Sequence, residues 1–185
     1  MTYLYNANIK FDKVLFQREY FSLLENEKGY SDHTGAVDWW RVIRHQDMTS
    51  ELCSRFAEKI KEAFGIEGRV DSRFYRLVAE NELPWHQDRG TQCSFNFVLS
   101  GDSACKFKAT EDDHFYHRFL YSQSLFNTQA WHSVEPSDTD RILYKVSIFD
   151  ETFNSVKKKV ENFRARNDIT DEIDLDKEYE LDPSL

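Results

Sequence analysis

The sequence predicts one mainly β domain, a sandwich or barrel of short strands with flanking helices. Three observations carry this. Apolar residues recur at helical spacing up to about residue 68, alternate at period two over 69–153, and return to helical spacing at 154–167. The 185 residues suit a single core, because two would each fall near the small end of the domain range. Hydrophobic content of 40%, with 15% aromatic, fills such a core while 31% charged residues solvate its outside, which excludes a globally disordered chain.

The elements follow in order. Residues 11–27 carry Val14, Leu15, Phe16, Phe21, Leu23 and Leu24 and stop at Gly29, as a helix with one buried side would. Residues 30–46, with Gly35 and Trp39-Trp40, read as a loop or short strand. A clearer helix spans about 50–64, where Leu52, Phe56, Ile60 and Phe64 recur every four residues; Thr49 or Ser50 caps it and Gly65 ends it. From residue 69 the period changes. Segments 69–79, 92–99, 104–108, 115–121, 124–127 and 141–149 are β-branched and aromatic, with turn residues such as Ser100-Gly101-Asp102-Ser103 between them. Val156, Val160 and Phe163 then mark one face of a last helix. The domain is thus 1–167, with a helical cover at 1–68, a β core at 69–153 and a helix at 154–167. Residues 168–185 hold eight acids and one lysine, and read as a solvated or loosely docked tail.

Charge and cysteine usage narrow the function classes. With 24 Lys and Arg against 33 Asp and Glu, the net charge of −9 repels phosphate backbones and anionic lipid. Nucleic acid and membrane are therefore disfavoured partners. Cys53, Cys93 and Cys105 form an odd set without C-x-x-C spacing, which gives neither a disulfide framework nor a zinc knuckle. The first residues lack a basic region followed by an unbroken apolar run, so the expectation is a soluble, cytoplasmic protein.

The residues that point to chemistry are His86-Gln87-Asp88 and His132. On a strand end, residues i and i+2 point the same way, so His86 and Asp88 can grip one ion while Gln87 faces elsewhere. His132, 44 residues after Asp88, would return on a strand adjacent in space. Two histidines and a carboxylate on one side of a metal leave the opposite side open, as non-haem Fe(II) requires when it must bind a co-substrate and oxygen together. The tripeptide alone is weak evidence, since 6 His and 17 Asp produce an H-x-D by chance in about every second chain of this size. Indeed His45-Gln46-Asp47 repeats it, but just ahead of a capped helix, where Asp47 is explained as an acid near a helix N-terminus. The site at 86 has a strand-to-loop junction, a following alternating strand and a suitable later His. Beyond His132, Arg141 starts a strand on which Arg141, Leu143, Lys145, Ser147 and Phe149 share one face, and an inward Arg there calls for an anion. His114 and His117, at i and i+3, fall on opposite faces of an extended segment and read as exposed. Trp39, Trp40, Trp85 and Trp131 suit either a substrate entrance or a core rim, the Cys residues lack a partner for nucleophilic chemistry, and Lys157–Lys159 read as a solvated face.

With these motifs the chain resembles the Fe(II)- and 2-oxoglutarate-dependent dioxygenases over about residues 73–153, on His86, Asp88, His132 and Arg141. Leu-Pro-Trp-His-Gln-Asp, the strand from Cys93 and Asn127-Thr-Gln-Ala-Trp-His-Ser are most similar to the aspartyl/asparaginyl β-hydroxylase-like branch, with the prolyl hydroxylases next. The resemblance implies a double-stranded β-helix, the jelly-roll or cupin-like core. It implies Fe(II) on His86, Asp88 and His132, 2-oxoglutarate with its distal carboxylate on Arg141, O2 as co-substrate and ascorbate as a candidate reductant. Tyr75 is a candidate hydroxyl for that distal carboxylate. Two departures stand out: Asp88 is present where the β-hydroxylase branch often lacks the carboxylate, and Phe95 and Asn96 stand where that branch has an Arg, leaving Asn96 as a neutral candidate donor. The implied reaction hydroxylates an unactivated C–H bond, of an amino-acid side chain in a peptide, protein or free amino acid, with succinate and CO2 as co-products. The alternatives are a cupin-like metal enzyme that does not use 2-oxoglutarate and a non-enzymatic jelly-roll binding module.

Overall fold

The computed structural model describes residues 2–25, 30–32, 40–44, 50–102 and 104–177. Its elements run β1 (Leu4–Tyr5), α1 (Lys13–Glu25), β2 (Tyr30–Asp32), β3 (Trp40–Arg44), α2 (Glu51–Ala63), β4 (Val70–Leu77), β5 (Leu83–His86), β6 (Cys93–Ser100), β7 (Cys105–Lys108), β8 (His117–Phe119), β9 (Gln123–Phe126), β10 (Trp131–Val134), β11 (Arg141–Ile148) and α3 (Phe153–Arg166). A major sheet has the order β1-β9-β6-β11-β4-β3-β2, and a minor sheet the order β5-β10-β7-β8. All strand pairs among the described residues are antiparallel.

The helices form because their apolar residues share a side and their ends are capped. Ser50 Oγ accepts the Cys53 N–H ahead of α2, and Thr152 accepts the Ser155 N–H ahead of α3. α2 buries Cys53, Ala57 and Ile60, and α3 buries Phe153, Val156, Val160 and Phe163. α1 differs from expectation. It buries Phe16, Tyr20 and Leu23, at i, i+4 and i+7, and leaves Val14, Leu15 and Phe21 exposed. Tyr20 takes the buried position because the helical period, not side-chain hydropathy alone, decides which residues meet the sheet.

The helices cover one face of the major sheet, against Phe74 of β4, Phe95, Phe97 and Leu99 of β6 and Ile142, Tyr144, Val146 and Ile148 of β11. A smaller cluster of Tyr3, Leu77, Cys105, Phe107, Phe126, Ala130 and Val134 lies between the two sheets. Beyond this cluster the inner surface also carries the buried polar side chains Asn96, Arg141 and Lys145.

Other expectations need correction. Residues 30–46 contain two strands, Tyr30–Asp32 paired with Trp40–Arg44, at the edge of the major sheet. The strand expected over 115–121 is only His117–Phe119, since nothing pairs with the exposed residues before it. The tail is docked up to residue 177. Ile173 is fully buried, bridges Ile9, and is flanked by the Lys10–Asp174 and Lys59–Asp176 ion pairs. Its apolar residues, spaced among the acids, hold it down. His45-Gln46-Asp47 and Trp39 lie outside the described residues. No helix among the described residues is long and apolar enough to cross a membrane.

Candidate metal centre

Cross-strand register builds the centre. In the β5–β10 pair His86 lies directly opposite His132, on the face that looks between the sheets, and the two rings approach to 4.2 Å between centroids. Asp88 follows in the loop after β5. That loop is strapped to residues 127–130: the Asp88 N–H donates to Thr128 O, Gln87 Nε2 to Gln129 O, and Gln129 Nε2 to the carbonyls of Asp88 and Thr91. Asp88 Oδ1 thereby stands 3.5 Å from His86 Nε2 and 3.8 Å from His132 Nε2.

The donor set fits a metal ion. His86 Nδ1 lies 2.7 Å from Pro84 O and His132 Nδ1 2.9 Å from Ala130 O. A carbonyl oxygen only accepts, so each Nδ1 carries the proton and each Nε2 presents a lone pair toward Asp88. Burial, reinforced by His86, pushes the His132 imidazole down to about 3, so it is neutral at physiological pH. For Asp88, burial would raise the carboxyl, but the Lys145 ammonium and the two histidines outweigh it and hold it far below the usual carboxylate range. Neutral imidazoles and an ionised carboxylate are the protonation states that ligation needs. Adjacent ligands of an ion with bonds of about 2.1 Å sit roughly 3 Å apart, so small side-chain rotations would close the present spacing. Among the described residues, His86, Asp88 and His132 are the one group of three ligand-type side chains that converges, all within 4.8 Å.

A second feature lies on β11. Arg141 and Lys145 both point into the space between the sheets, and both are buried. Lys145 Nζ contacts Asp88 Oδ2 and lies 5.5 Å from the Tyr75 ring centroid. Burial alone would lower the ammonium, but Asp88 outweighs it and keeps Lys145 charged. Arg141 donates to Tyr121 Oη at 2.8 Å and to Cys105 Sγ at 3.2 Å, with no carboxylate beside it among the described residues. Asn96 Nδ2 donates to the same Tyr121 hydroxyl, and Asn96 Oδ1 accepts from Ser94. Between Arg141 and Lys145, Leu143 and its cross-strand neighbour Val98 are only half-buried, although each sits in a central strand. The polar groups therefore border open space.

No protein-family model matches the chain, and no curated protein sequence matches it. Solved structures share its architecture. A prolyl-4-hydroxylase from Pseudomonas putida is 15% identical, with a TM-score of 0.56 over 74% of this chain and 85% of its own. A prolyl hydroxylase from Trichoplax adhaerens, in complex with a peptide fragment of the hypoxia inducible factor oxygen degradation domain, is 12% identical, with a TM-score of 0.58 over 86% of this chain and 85% of its own. The fold is the jelly-roll core that these solved structures share. SnoN, a non-haem alpha-ketoglutarate-dependent epimerase of nogalamycin biosynthesis, matches at 13% identity with a TM-score of 0.54, over 75% of this chain and 73% of its own.

Within this fold the sequence-predicted residues divide. His86, Asp88 and His132 come together, and Arg141 and Asn96 join through Tyr121. Tyr75 lies beside Lys145 and the Arg73 guanidinium, across from Leu143. The hydroxyl on Arg141 is that of Tyr121, which was expected to end a strand over 115–121 and instead lies in irregular chain between β8 and β9. Lys145 was legible as sharing the Arg141 face, but its pairing with Asp88 depends on how the loop closes. His114 and His117 are exposed. Burial pushes the Cys53 and Cys93 thiols up to about 12, so neither is a nucleophile.

Proposed function

We propose that the protein is an Fe(II)- and 2-oxoglutarate-dependent oxygenase that hydroxylates an unactivated C–H bond of an amino-acid side chain, with succinate and CO2 as co-products. The observation that carries this is Arg141. Arg141 is 5% exposed, and among the described residues its guanidinium donates to a thiol and a phenol. An uncompensated buried charge costs several kcal/mol, and a carboxylate received bidentately in the adjoining space would offset that cost. Arg141 and Lys145 lie four residues apart on one strand face, about 13 Å along the backbone, and Lys145 meets the triad at Asp88. A short dicarboxylate that is also a metal chelator suits that arrangement.

Each residue then has a task. His86, Asp88 and His132 would hold the metal, and the carbonyls of Pro84 and Ala130 fix both imidazole orientations. Lys145 holds Asp88 Oδ2, leaving Oδ1 for the ion. Arg141 and Tyr121 receive the distal carboxylate; burial raises the Tyr121 phenol, so it stays protonated and able to donate. Bound Fe(II) supplies the redox chemistry that couples oxidative decarboxylation of the keto acid to oxidation of a C–H bond. A cavity of 540 Å³, lined by Trp85, His86, Gln87, Asp88, Arg89, Gly90, Gln129 and Trp131, admits the substrate beside the triad. Its indole walls orient the target bond and limit water. The peptide bound by the Trichoplax enzyme supports an amino-acid side chain as target.

The test is an anaerobic titration of apoprotein with Fe(II) and then 2-oxoglutarate, read by the weak visible charge-transfer absorption of a keto acid chelated to Fe(II). The band is expected in wild type, absent in His132→Ala, and displaced to higher 2-oxoglutarate in Arg141→Ala. Iron binding without a band would replace this reading with the cupin-like metal enzyme. No iron binding would leave a jelly-roll binding module.

A further inference from the structure

The outer face of the minor sheet carries chemistry that the oxygenase reading does not use. In β7, Cys105 and Phe107 point inward, so Lys106 and Lys108 point outward. Register sets Lys108 beside Trp131 and Lys106 beside Ser133 of β10, while Trp85, on the opposite side of β5 from His86, reaches over the small Ser133. Lys108 Nζ lies 4.7 Å from the Trp85 ring centroid and 5.8 Å from that of Trp131. Lys106 Nζ lies 5.8 Å from Trp85 and 5.5 Å from Tyr116.

Neither lysine meets a carboxylate among the described residues. Lys108 donates to the backbone carbonyl of Glu111, not to its carboxylate, and Glu135, next to β10, is taken by Arg118. Asp113 turns back onto the Thr110 N–H. Among the described residues no carboxylate pairs with Lys106, Lys108 or Arg89, although the chain carries a net −9. On the same face Ser133 Oγ is buried without a hydrogen-bond partner. Trp85, Trp131 and Arg89 also line the cavity at the triad, so this face continues into its mouth. Stacking over an indole satisfies one side of an ammonium and leaves the other open to an anion.

We infer that this face docks an acidic polypeptide segment and feeds its target residue into the cavity beside His86 and Asp88; the inference rests on the oxygenase reading of that cavity. Carboxylates complement Lys106, Lys108 and Arg89, and apolar side chains complement the indole and phenol rings. The occupant is a chain rather than a small acid because Lys106 and Lys108 lie outside the cavity lining and Arg89 within it. Rows of strands about 4.8 Å apart separate the two groups.

The test selects a displayed library of random 12-residue peptides on the wild-type protein and on the Lys106→Ser/Lys108→Ser variant, with the Fe(II)–keto acid band read on both. Wild type is expected to enrich Asp and Glu, and the selected peptides to bind the double variant about tenfold more weakly. A wild-type pool without acidic enrichment, acidic peptides that bind the variant equally well, or complete displacement by millimolar free glutamate would overturn the inference. The band separates the two levels: present with no enrichment, it leaves the oxygenase standing without this docking face; absent with enrichment, it leaves the face without the oxygenase.

Discussion

The two faces of β11 are built from the same eight residues with opposite chemistry. Ile142, Tyr144, Val146 and Ile148 turn toward the helices, all buried in one apolar cluster within which the Tyr144 hydroxyl donates to Cys53 O. Arg141, Leu143, Lys145 and Ser147 turn toward the minor sheet, where two cations are buried at 5% and 9% exposure. The first face gains free energy by leaving water, roughly 25 cal/mol per Å² of apolar surface. The second loses it, and each charge needs compensation. Lys145 finds it in Asp88; Arg141 finds none within the described residues. A strand whose stability comes from one face can hold unsatisfied charge on the other, and that is where a ligand is expected.

The largest effect should come from the apolar face. Tyr144→Ala removes a fully buried ring packed against Phe16, Phe74 and Phe97, and should lower stability by about 3–5 kcal/mol in urea unfolding. On the opposite face the sign should reverse. Arg141→Met replaces a buried cation by an apolar chain of similar length and should raise stability by about 1–3 kcal/mol. The same variant should lose the rise in melting temperature that 2-oxoglutarate gives the Fe(II)-loaded wild type. A destabilised Arg141→Met would mean that the guanidinium is structural and would remove the contrast between the faces.

A smaller effect tests how Arg141 is placed. Gly101 has φ +80°, and a Cβ there would stand 2.8 Å from Arg141 Cα. Gly65 has φ +59°, with nothing within 4 Å of the same addition. Both substitutions by Ala carry the left-handed backbone penalty of about 1 kcal/mol, but only Gly101→Ala also displaces the start of β11. Thermal unfolding should show Gly101→Ala the less stable, and only that variant should need more 2-oxoglutarate to develop the absorption band. Equal losses would separate the turn from the site.

The same asymmetry explains what the sequence reveals. Period-two alternation exposed both faces of β11, and helical spacing exposed α2 and α3, because burial imposes a period that a single chain records. His86 and Asp88 were legible from i, i+2 geometry, and His132 and Arg141 from the resemblance built around them. Tyr121, Gln87, Thr128 and Gln129 were not, since they act from loops whose approach is fixed by tertiary closure and leaves no local period. β5 and β10 were short enough to look like loop edges, yet their register is what sets the two histidines opposite each other. Tyr75 illustrates the converse: its position in the chain suggested Arg141, but strand register places it across from Leu143, midway between Arg141 and Lys145, and its ring lies 5.5 Å from the Lys145 ammonium.

The smallest effect lies at the entrance to α3 and asks whether the helical layer and the inner face are independent. Glu151 accepts from the Glu67 N–H at 2.8 Å, from Ser155 Oγ at 3.0 Å and from Lys159 Nζ at 2.8 Å. Burial works against its ionisation, but Lys159, Glu67 and Ser155 outweigh it, so its folded carboxyl lies below the model-compound value of 4.5. A depressed folded value means that the unfolded chain binds more protons as the solution is acidified. The stabilisation is therefore complete above about pH 5 and is lost as pH falls through the folded value. Glu151→Gln should lower stability at neutral pH by under about 1 kcal/mol and flatten the acid limb of a pH–stability profile, the two proteins converging at low pH. The 2-oxoglutarate response should be the same in both. If Glu151→Gln instead blunts that response, the helical layer and the Arg141 face are energetically coupled through the sheet, and the contrast drawn on β11 becomes a path between them.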